Sequence, residues 1–371
     1  MYIKQIQYRA FRNIERAEFS PDTGFNVLWG DNAQGKTNLL EGIYLLGNLK
    51  SFRASRNGEF LPESTGTAHL SARVSSQQVE RRLELSIVST GKKVRIDGKD
   101  LRSSRDFFGH LRPILFSPEE VNLIKGSPAG RRALLDRAIF QTDPLYLERA
   151  QEFERHLRQR NLLLREGKPA QELAPWTEGL IRCGARLRWE RARYLAEMTP
   201  RLREVYGGIT DNREQADLVY REGEADEEAL RERLREELDG KAERERRLGQ
   251  TLAGPHRDDP LFLVDGRPLR LFGSQGQQRS FMLAFKTAQI MDLESRTGEP
   301  PVLLLDDMTS ELDRHRQGYF FRFLLERRGQ VFITTTDIQP LIKEGIHQGK
   351  FFRVRAGSLQ EDNPERGKYD G

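Results

Sequence analysis

One cysteine, Cys183, is the whole thiol inventory of the chain. It cannot close an internal disulfide, and it cannot supply a Cys-rich zinc site. This usage fits a reducing compartment. Long apolar runs are missing too: no stretch free of charged residues exceeds nine, whereas a membrane-spanning helix needs about 20 mostly apolar residues. The N-terminus, Met1 to Asn13, alternates apolar and charged residues and lacks the apolar core of a secretory signal, so a cytoplasmic location is expected. The six histidines show no metal-ligand spacing, and the Asn-Lys-x-Asp pattern of a guanine reader does not occur. Neither charge sign dominates, with 61 Lys and Arg against 56 Asp and Glu, a net charge of +5 and a pI near 9.2. That balance tolerates a polyanionic partner without demanding one.

What is present is a polar chain with core material, 37% hydrophobic and 32% charged. Tyr2, Ile3, Ile6 and Tyr8 have rough period-two character, and Phe25 to Trp29 is a short apolar run ending at a glycine. Several β-prone runs recur between Leu70 and Ile96, and Asp97-Gly98 suits a type I′ hairpin. An antiparallel flank is expected there. From Ser117 to Leu248 the texture becomes Leu- and Arg-rich at helical spacing, as in Tyr146 to Arg165 and Leu180 to Leu195. Arg221 to Arg247 holds eight basic and eleven acidic residues, and near-cancelling signs read as a solvated helix face. Strand-like runs return at Leu261–Val264, 301–305 and 330–335, around a helical stretch from Gln278 to Leu293. The expected organisation is a discontinuous α/β domain, 1–116 with 249–371, carrying a mainly helical inserted lobe, 117–248. Residues after Gly357 are polar and expected to be loose.

Gly30-Asp31-Asn32-Ala33-Gln34-Gly35-Lys36-Thr37 fits G-x-x-x-x-G-K-[ST], after an expected strand and before a helix whose Leu39, Leu40, Ile43 and Leu46 share a face. The glycines let successive backbone N–H groups point at phosphate oxygens, and the helix start adds partial positive charge. Lys36 is expected on the β- and γ-phosphates and the Thr37 hydroxyl on Mg²⁺. Downstream, Val302 to Leu305 runs straight into Asp306-Asp307. An apolar run of this kind suits a parallel strand whose carboxyl end opens on the ligand crevice. Asp306 is then placed to hold Mg²⁺, and Asp307 to polarise the water attacking the γ-phosphate. Taken alone, two acids after an apolar run are as readily a solvated loop start.

Phe272-Gly273-Ser274-Gln275-Gly276-Gln277-Gln278-Arg279 precedes the helix bearing Phe281, Phe285 and Ala288. Its hydroxyl, bare glycine N–H and helix start make a second phosphate site, which one nucleotide does not need. Ser-x-Gly-Gln-Gln-Arg resembles the signature loop of ABC-type ATPases, where that loop closes over the nucleotide of the opposite subunit. Ser274, Gly276 and Gln277 would do so here. Ser310-Glu311-Leu312-Asp313 resembles that family's D-loop, and Thr334-Thr335-Thr336-Asp337 stands at its switch position. Thr336 occupies the place of the usual histidine and Asp307 that of the usual catalytic glutamate, departures that imply slow hydrolysis. Pro118-Glu119-Glu120 lies at the Q-loop position without a glutamine.

Phe11-Arg12-Asn13, Gly126-Ser127-Pro128 with Arg131-Arg132 and Asp136, Gln159-Arg160-Asn161, and Gly254-Pro255-His256-Arg257-Asp258-Asp259 extend a resemblance to the RecF family over nearly the whole chain. The resemblance implies an ABC-type ATPase head related to Rad50 and SMC heads without a long coiled coil, with Arg12 among the nucleotide-binding residues. It further implies ATP and Mg²⁺ as cofactors, an ATP-dependent homodimer, and single- or double-stranded DNA as partner. RecO and RecR would be the proteins with which it loads recombinase at gaps. The alternative is the nucleotide-binding subunit of a membrane transporter, but the segment between Thr37 and Ser274 is far longer than such a subunit needs. Arg53, Arg131, Arg132 and Arg257 are candidate phosphate contacts, although each one alone reads more readily as a solvated or capping arginine.

Overall fold

The computed structural model describes residues 1–62, 65–101, 103–220, 226–308 and 312–362. It divides into two compact units, Met1–Glu120 with Ile290–Gly371, and Val121–Gln289.

The first unit holds two six-stranded sheets. One is antiparallel, built from β1 (Tyr2–Phe11), β2 (Ile14–Phe19), β4 (Thr67–Ser76), β5 (Val79–Val88), β6 (Gly91–Ile96) and β7 (Lys99–Asp100), in the order β2-β1-β4-β5-β6-β7. Strict alternation in β4 buries Ala68, Leu70, Ala72 and Val74. In β1 the register shifts between Ile3 and Gln5, and this irregularity lets both Ile3 and Ile6 face inward. The β6–β7 turn has Asp97 and Gly98 at φ 52° and 77°, as the Asp-Gly pair requires.

The other sheet combines β3 (Phe25–Trp29), β8 (Pro113–Phe116), β12 (Val302–Asp306), β13 (Val331–Thr335), β14 (Lys350–Arg355) and β15 (Ser358–Glu361) in the order β15-β14-β3-β13-β12-β8. All neighbours run parallel except the β14–β15 hairpin. That hairpin corrects the expectation of a loose chain directly after Gly357; residues beyond 362 lie outside the described ones. Every residue of β12 and β13 is buried, as befits central parallel strands. Gln330, fully buried, accepts from Ile3 N–H at 2.7 Å and donates to the carbonyls of Ile3 (2.9 Å) and Asp22 (2.7 Å), tying the two sheets at one point. The helix Lys36–Asn48 is buried along its whole length from Leu39, not on one face only. It contributes Leu39, Leu40, Ile43 and Leu46 to a core shared with Leu70, Leu83, Leu304 and Phe332, so both sheets cover it.

The second unit contains the helices Pro128–Thr142, Leu145–Arg165, Ala170–Thr210, Glu227–Asp239 and Ala242–Leu248. It also carries a small antiparallel sheet, β11-β10-β9, of β9 (Ala216–Val219), β10 (Leu261–Val264) and β11 (Arg267–Pro268). The unit boundaries differ from the sequence expectation chiefly after residue 248, because β10 pairs along its length with β9. Residues 221–225 of the charged run lie outside the described residues. In the rest, Leu230, Leu234 and Leu238 form an inward stripe, and Glu245 is fully buried against Arg160 at 2.7 Å, so a purely solvated face is not what forms.

Several arginines of the second unit prove to be structural. Arg131 is 2% exposed and makes a two-pronged pair with Asp259 at 2.7 and 2.9 Å. It is therefore unavailable to a phosphate backbone. Arg132 donates to the Asp258 carbonyl at 2.7 Å. Arg188 grips the Asp258 carboxylate at 2.9 and 3.0 Å, and Arg191 grips Asp136 at 2.8 and 2.9 Å. Ser127 caps the helix Pro128–Thr142, accepting from Gly130 N–H, with Pro128 at its first position. Motifs that carry family resemblance here hold the lobe together.

Candidate nucleotide site

β3 and β12 flank β13, so three loops leave the same carboxyl edge of the parallel sheet side by side. After β3 comes the Gly30–Thr37 loop, after β12 Asp307, and after β13 Thr336. Together they line a cavity of about 400 Å³ that includes Asn32, Ala33, Gln34, Gly35, Lys36, Thr37, Asp306, Asp307, Thr334 and Thr336. Gly35 starts the helix at φ 110°, and Gly30 lies so near β14 that a Cβ would meet the Val354 carbonyl oxygen at 2.4 Å. Both conformations select glycine.

The Lys36 ammonium bends back over the loop, donating to the carbonyls of Gly30 (2.6 Å) and Asp31 (2.7 Å). Partial burial lowers its pKa, while Asp307, Asp306 and Asp31 pull the other way. Asp306 is the hub. Its Oδ1 accepts from the Thr37 hydroxyl at 2.9 Å and from the Thr334 hydroxyl at 2.7 Å, and Thr334 in turn accepts from Asp307 N–H at 3.0 Å. Burial raises the Asp306 pKa; the two threonine hydrogen bonds and Arg53 oppose this, and Glu119 adds to it. Asp307 follows at φ 50°, a left-handed conformation uncommon for aspartate that turns the chain sharply at the strand end. Thr336 is exposed at the rim.

Arg12, which the resemblance puts among the nucleotide-binding residues, lies beside the cavity lining rather than in it. Its guanidinium is taken up by the buried Glu41 carboxylate, at 2.5 and 2.9 Å, and by the Glu59 carbonyl at 3.1 Å, and it does not line the cavity. Its neighbour Asn13 does, together with Asn38 and Arg53. Asn38 donates to Asn13 Oδ1 at 2.8 Å, and Arg53 donates to Asn38 at 3.2 Å. Thr334, Asn13 and Asn38 were not singled out as site residues from the sequence. Thr334 had a usable signal, since β13 pairs in register with β12 and sets Thr334 opposite Asp306. Asn13 and Asn38 had none, because their approach depends on how β1 ends over the loop.

In the second unit, Ser274 stands exposed before the helix Gln275–Thr297. Its hydroxyl accepts from Gln277 N–H at 3.1 Å, and the Gln277 side chain accepts from Ser274 N–H at 2.9 Å, a reciprocal cap. Gln277 also donates to Glu214 at 2.9 Å. Ser274 and Gly276 thus sit on a fixed helix start whose first N–H groups have no partner within the helix. Of the D-loop resemblance, Ser310 and Glu311 lie outside the described residues; Asp313 caps the helix Arg314–Glu326 by accepting from Arg316 N–H at 2.9 Å.

The family described as RecF/RecN/SMC N terminal domain matches residues 2–356. The DNA replication and repair protein RecF of Syntrophotalea carbinolica is 51% identical over 97% of this chain and 99% of its own length. That of Geobacter sulfurreducens is 44% identical over the same shares. Among solved structures, the recombination mediator RecF with ATP, described within the RecFOR pathway, superposes with a TM-score of 0.89 at 32% identity, covering 97% of this chain and 99% of that one. The Smc head domain of Pyrococcus furiosus shares the fold at a TM-score of 0.57 and 15% identity. The similarity runs through the long segment between Thr37 and Ser274, which disfavours a transporter subunit, and among the described residues no helix is long and apolar enough to cross a membrane. The chain belongs to the RecF family, with the fold of an ABC-type ATPase head.

Proposed function

We propose that this chain is a cytoplasmic, ATP-dependent DNA-binding protein of recombinational repair, one that dimerises on ATP, hydrolyses it slowly, and works with RecO and RecR to load recombinase at DNA gaps. The observation that carries the nucleotide part is the meeting of Thr37, Thr334 and Asp306 on one buried carboxylate oxygen beside Lys36. The rest draws on membership of a family whose relatives are named for DNA replication and repair and whose solved members include an ATP complex.

In this reading the backbone from Gly30 to Gly35 cradles the phosphates and Lys36 reaches the β- and γ-phosphates. Thr37 and Asp306 would hold Mg²⁺; the donor set is hard oxygen, and a carboxylate whose charged form is penalised by burial gains from a cation. Bound there, Mg²⁺ would offset charge on the β- and γ-phosphates. Asp307, lining the same cavity, orients the attacking water. Thr336 stands at the rim where the family's histidine would be, and its hydroxyl is a weaker proton acceptor, in keeping with slow turnover. Arg12 acts through Glu41 to position the helix behind the loop. Ser274, Gly276 and Gln277 serve the nucleotide of a second copy.

A gapped-duplex retention assay with Mg-ATP tests the DNA part. ATP-dependent retention that weakens steeply between about 50 and 200 mM salt and varies little with sequence is expected. Absence of retention at low salt, or strong preference for one sequence, would overturn it.

A further inference from the structure

In the second unit the helices Leu145–Arg165 and Ala170–Thr210 pack side by side, and three side chains of metal-ligating chemistry converge between them. Glu152 and His156 lie one turn apart on the first helix and Cys183 lies on the second. A carboxylate oxygen, an imidazole nitrogen and the thiol sulfur all fall within 4.8 Å of one another. Both ring nitrogens of His156 are shut off from solvent, and no hydrogen bond among the described residues reaches either. The nearest approach is Nε2 to Glu152 Oε1 at 3.8 Å, beyond hydrogen-bond range. The ring is nevertheless firmly housed. A Cβ on Gly179 would lie 2.2 Å from its Cε1, so that glycine makes the room, and the Trp176 ring stands 5.6 Å away, centroid to centroid. An imidazole whose two nitrogens are buried and unmet, next to a thiol and a carboxylate, is a set of donors in want of an acceptor of electron pairs.

We propose that Glu152, His156 and Cys183 form a Zn²⁺ site that clamps the two helices, with water completing the coordination. Sulfur, nitrogen and oxygen together suit zinc, whereas Mg²⁺ takes all-oxygen shells, so the site does not draw on the cation of the phosphate loop. Zinc bonds of about 2.0 to 2.3 Å put tetrahedral ligand atoms roughly 3.3 to 3.7 Å apart. The three atoms need close by at most about 1.5 Å, within reach of their side-chain torsions. Binding forms the Zn–S bond and releases the thiol proton to solvent, one proton per ion. Because the ligand is the thiolate, loading strengthens as pH rises. Two cations face the site. Arg182 donates to Glu152 Oε1 at 3.0 Å, and the Arg155 charge bears on His156. Carboxylate and thiolate together offset them, and Arg182, bonded to Glu152 Oε1, serves as the outer partner that orients that carboxylate beside the site.

The test uses the full reduced chain in excess Mg²⁺, so that oxygen sites are occupied, titrated with Zn²⁺ against a chromophoric chelator and separately with Co²⁺. Expected are one Zn²⁺ per chain, a thiolate-to-Co²⁺ charge-transfer band, and a Zn²⁺-dependent rise in thermal midpoint. Affinity should drop at least about tenfold in Cys183→Ser and in His156→Gln. If Cys183→Ser does not fold, the band on the wild-type chain and the affinity of His156→Gln decide. Absence of the band, or equal Zn²⁺ affinity in the variants and the wild type, overturns the site. The outcome is independent of the nucleotide reading.

Discussion

Lys36 is the cation assigned to the phosphates, and its ammonium already lies across the loop carbonyls. Lys36→Ala removes a charge-assisted contact worth about 1.5 to 3 kcal/mol, so ATP affinity should fall about ten- to a hundredfold by calorimetry. Lys36→Arg should fail as well, because a planar fork does not replace a compact ammonium in a tight cradle. Unchanged affinity in Lys36→Ala would remove the loop from the account. The two aspartates separate by role. Asp307→Asn keeps volume and backbone while losing the carboxylate proposed to orient water, so ATP should still bind while turnover drops by about 10² or more. Should Asp307→Asn hydrolyse ATP normally while Asp306→Asn does not, the two roles are exchanged.

At the scale of elements, the motif segments of the second unit act as joints. Gln159-Arg160-Asn161 on one helix meets Thr251 and Glu245. Arg160 donates to Thr251 Oγ1 at 2.8 Å, and Asn161 accepts from Thr251 N–H at 2.7 Å. His256 belongs to the same joint, its Nε2 lying 3.2 Å from the Thr251 carbonyl. Burial lowers its pKa to about 4, below the ordinary value of about 6.5. The unfolded chain therefore binds the extra proton first, and the contribution of neutral His256 to stability, full above about pH 6.5, is lost as pH falls toward 4. His256→Gln should flatten that part of the pH dependence of the thermal midpoint; an unchanged profile would contradict the assignment. The sequence made the strands β3 and β12 and the phosphate loop legible because apolar runs ending in glycine or acid are local signals. It did not reveal that Ala170–Thr210 continues as one helix through Pro175 and Pro200. Prolines read locally as breaks, and only packing along the helix decides otherwise. Likewise Arg131 reads from the sequence as a phosphate contact or a solvated arginine, since its acidic partner, Asp259, is far away in the chain.

For the whole molecule, the proposed function has each nucleotide shared, held by one copy's phosphate loop and closed over by another copy's Ser274, Gly276 and Gln277. A two-fold pair completes both sites together. The reciprocal cap between Ser274 and Gln277 gives the signature a fixed shape within its own chain. Light scattering on the wild type and on Ser274→Arg, each with and without Mg-ATP, tests this most directly. ATP should double the wild-type mass, while Ser274→Arg should bind ATP with nearly wild-type affinity and stay monomeric. Dimerisation of Ser274→Arg on ATP to the same extent as the wild type would contradict it.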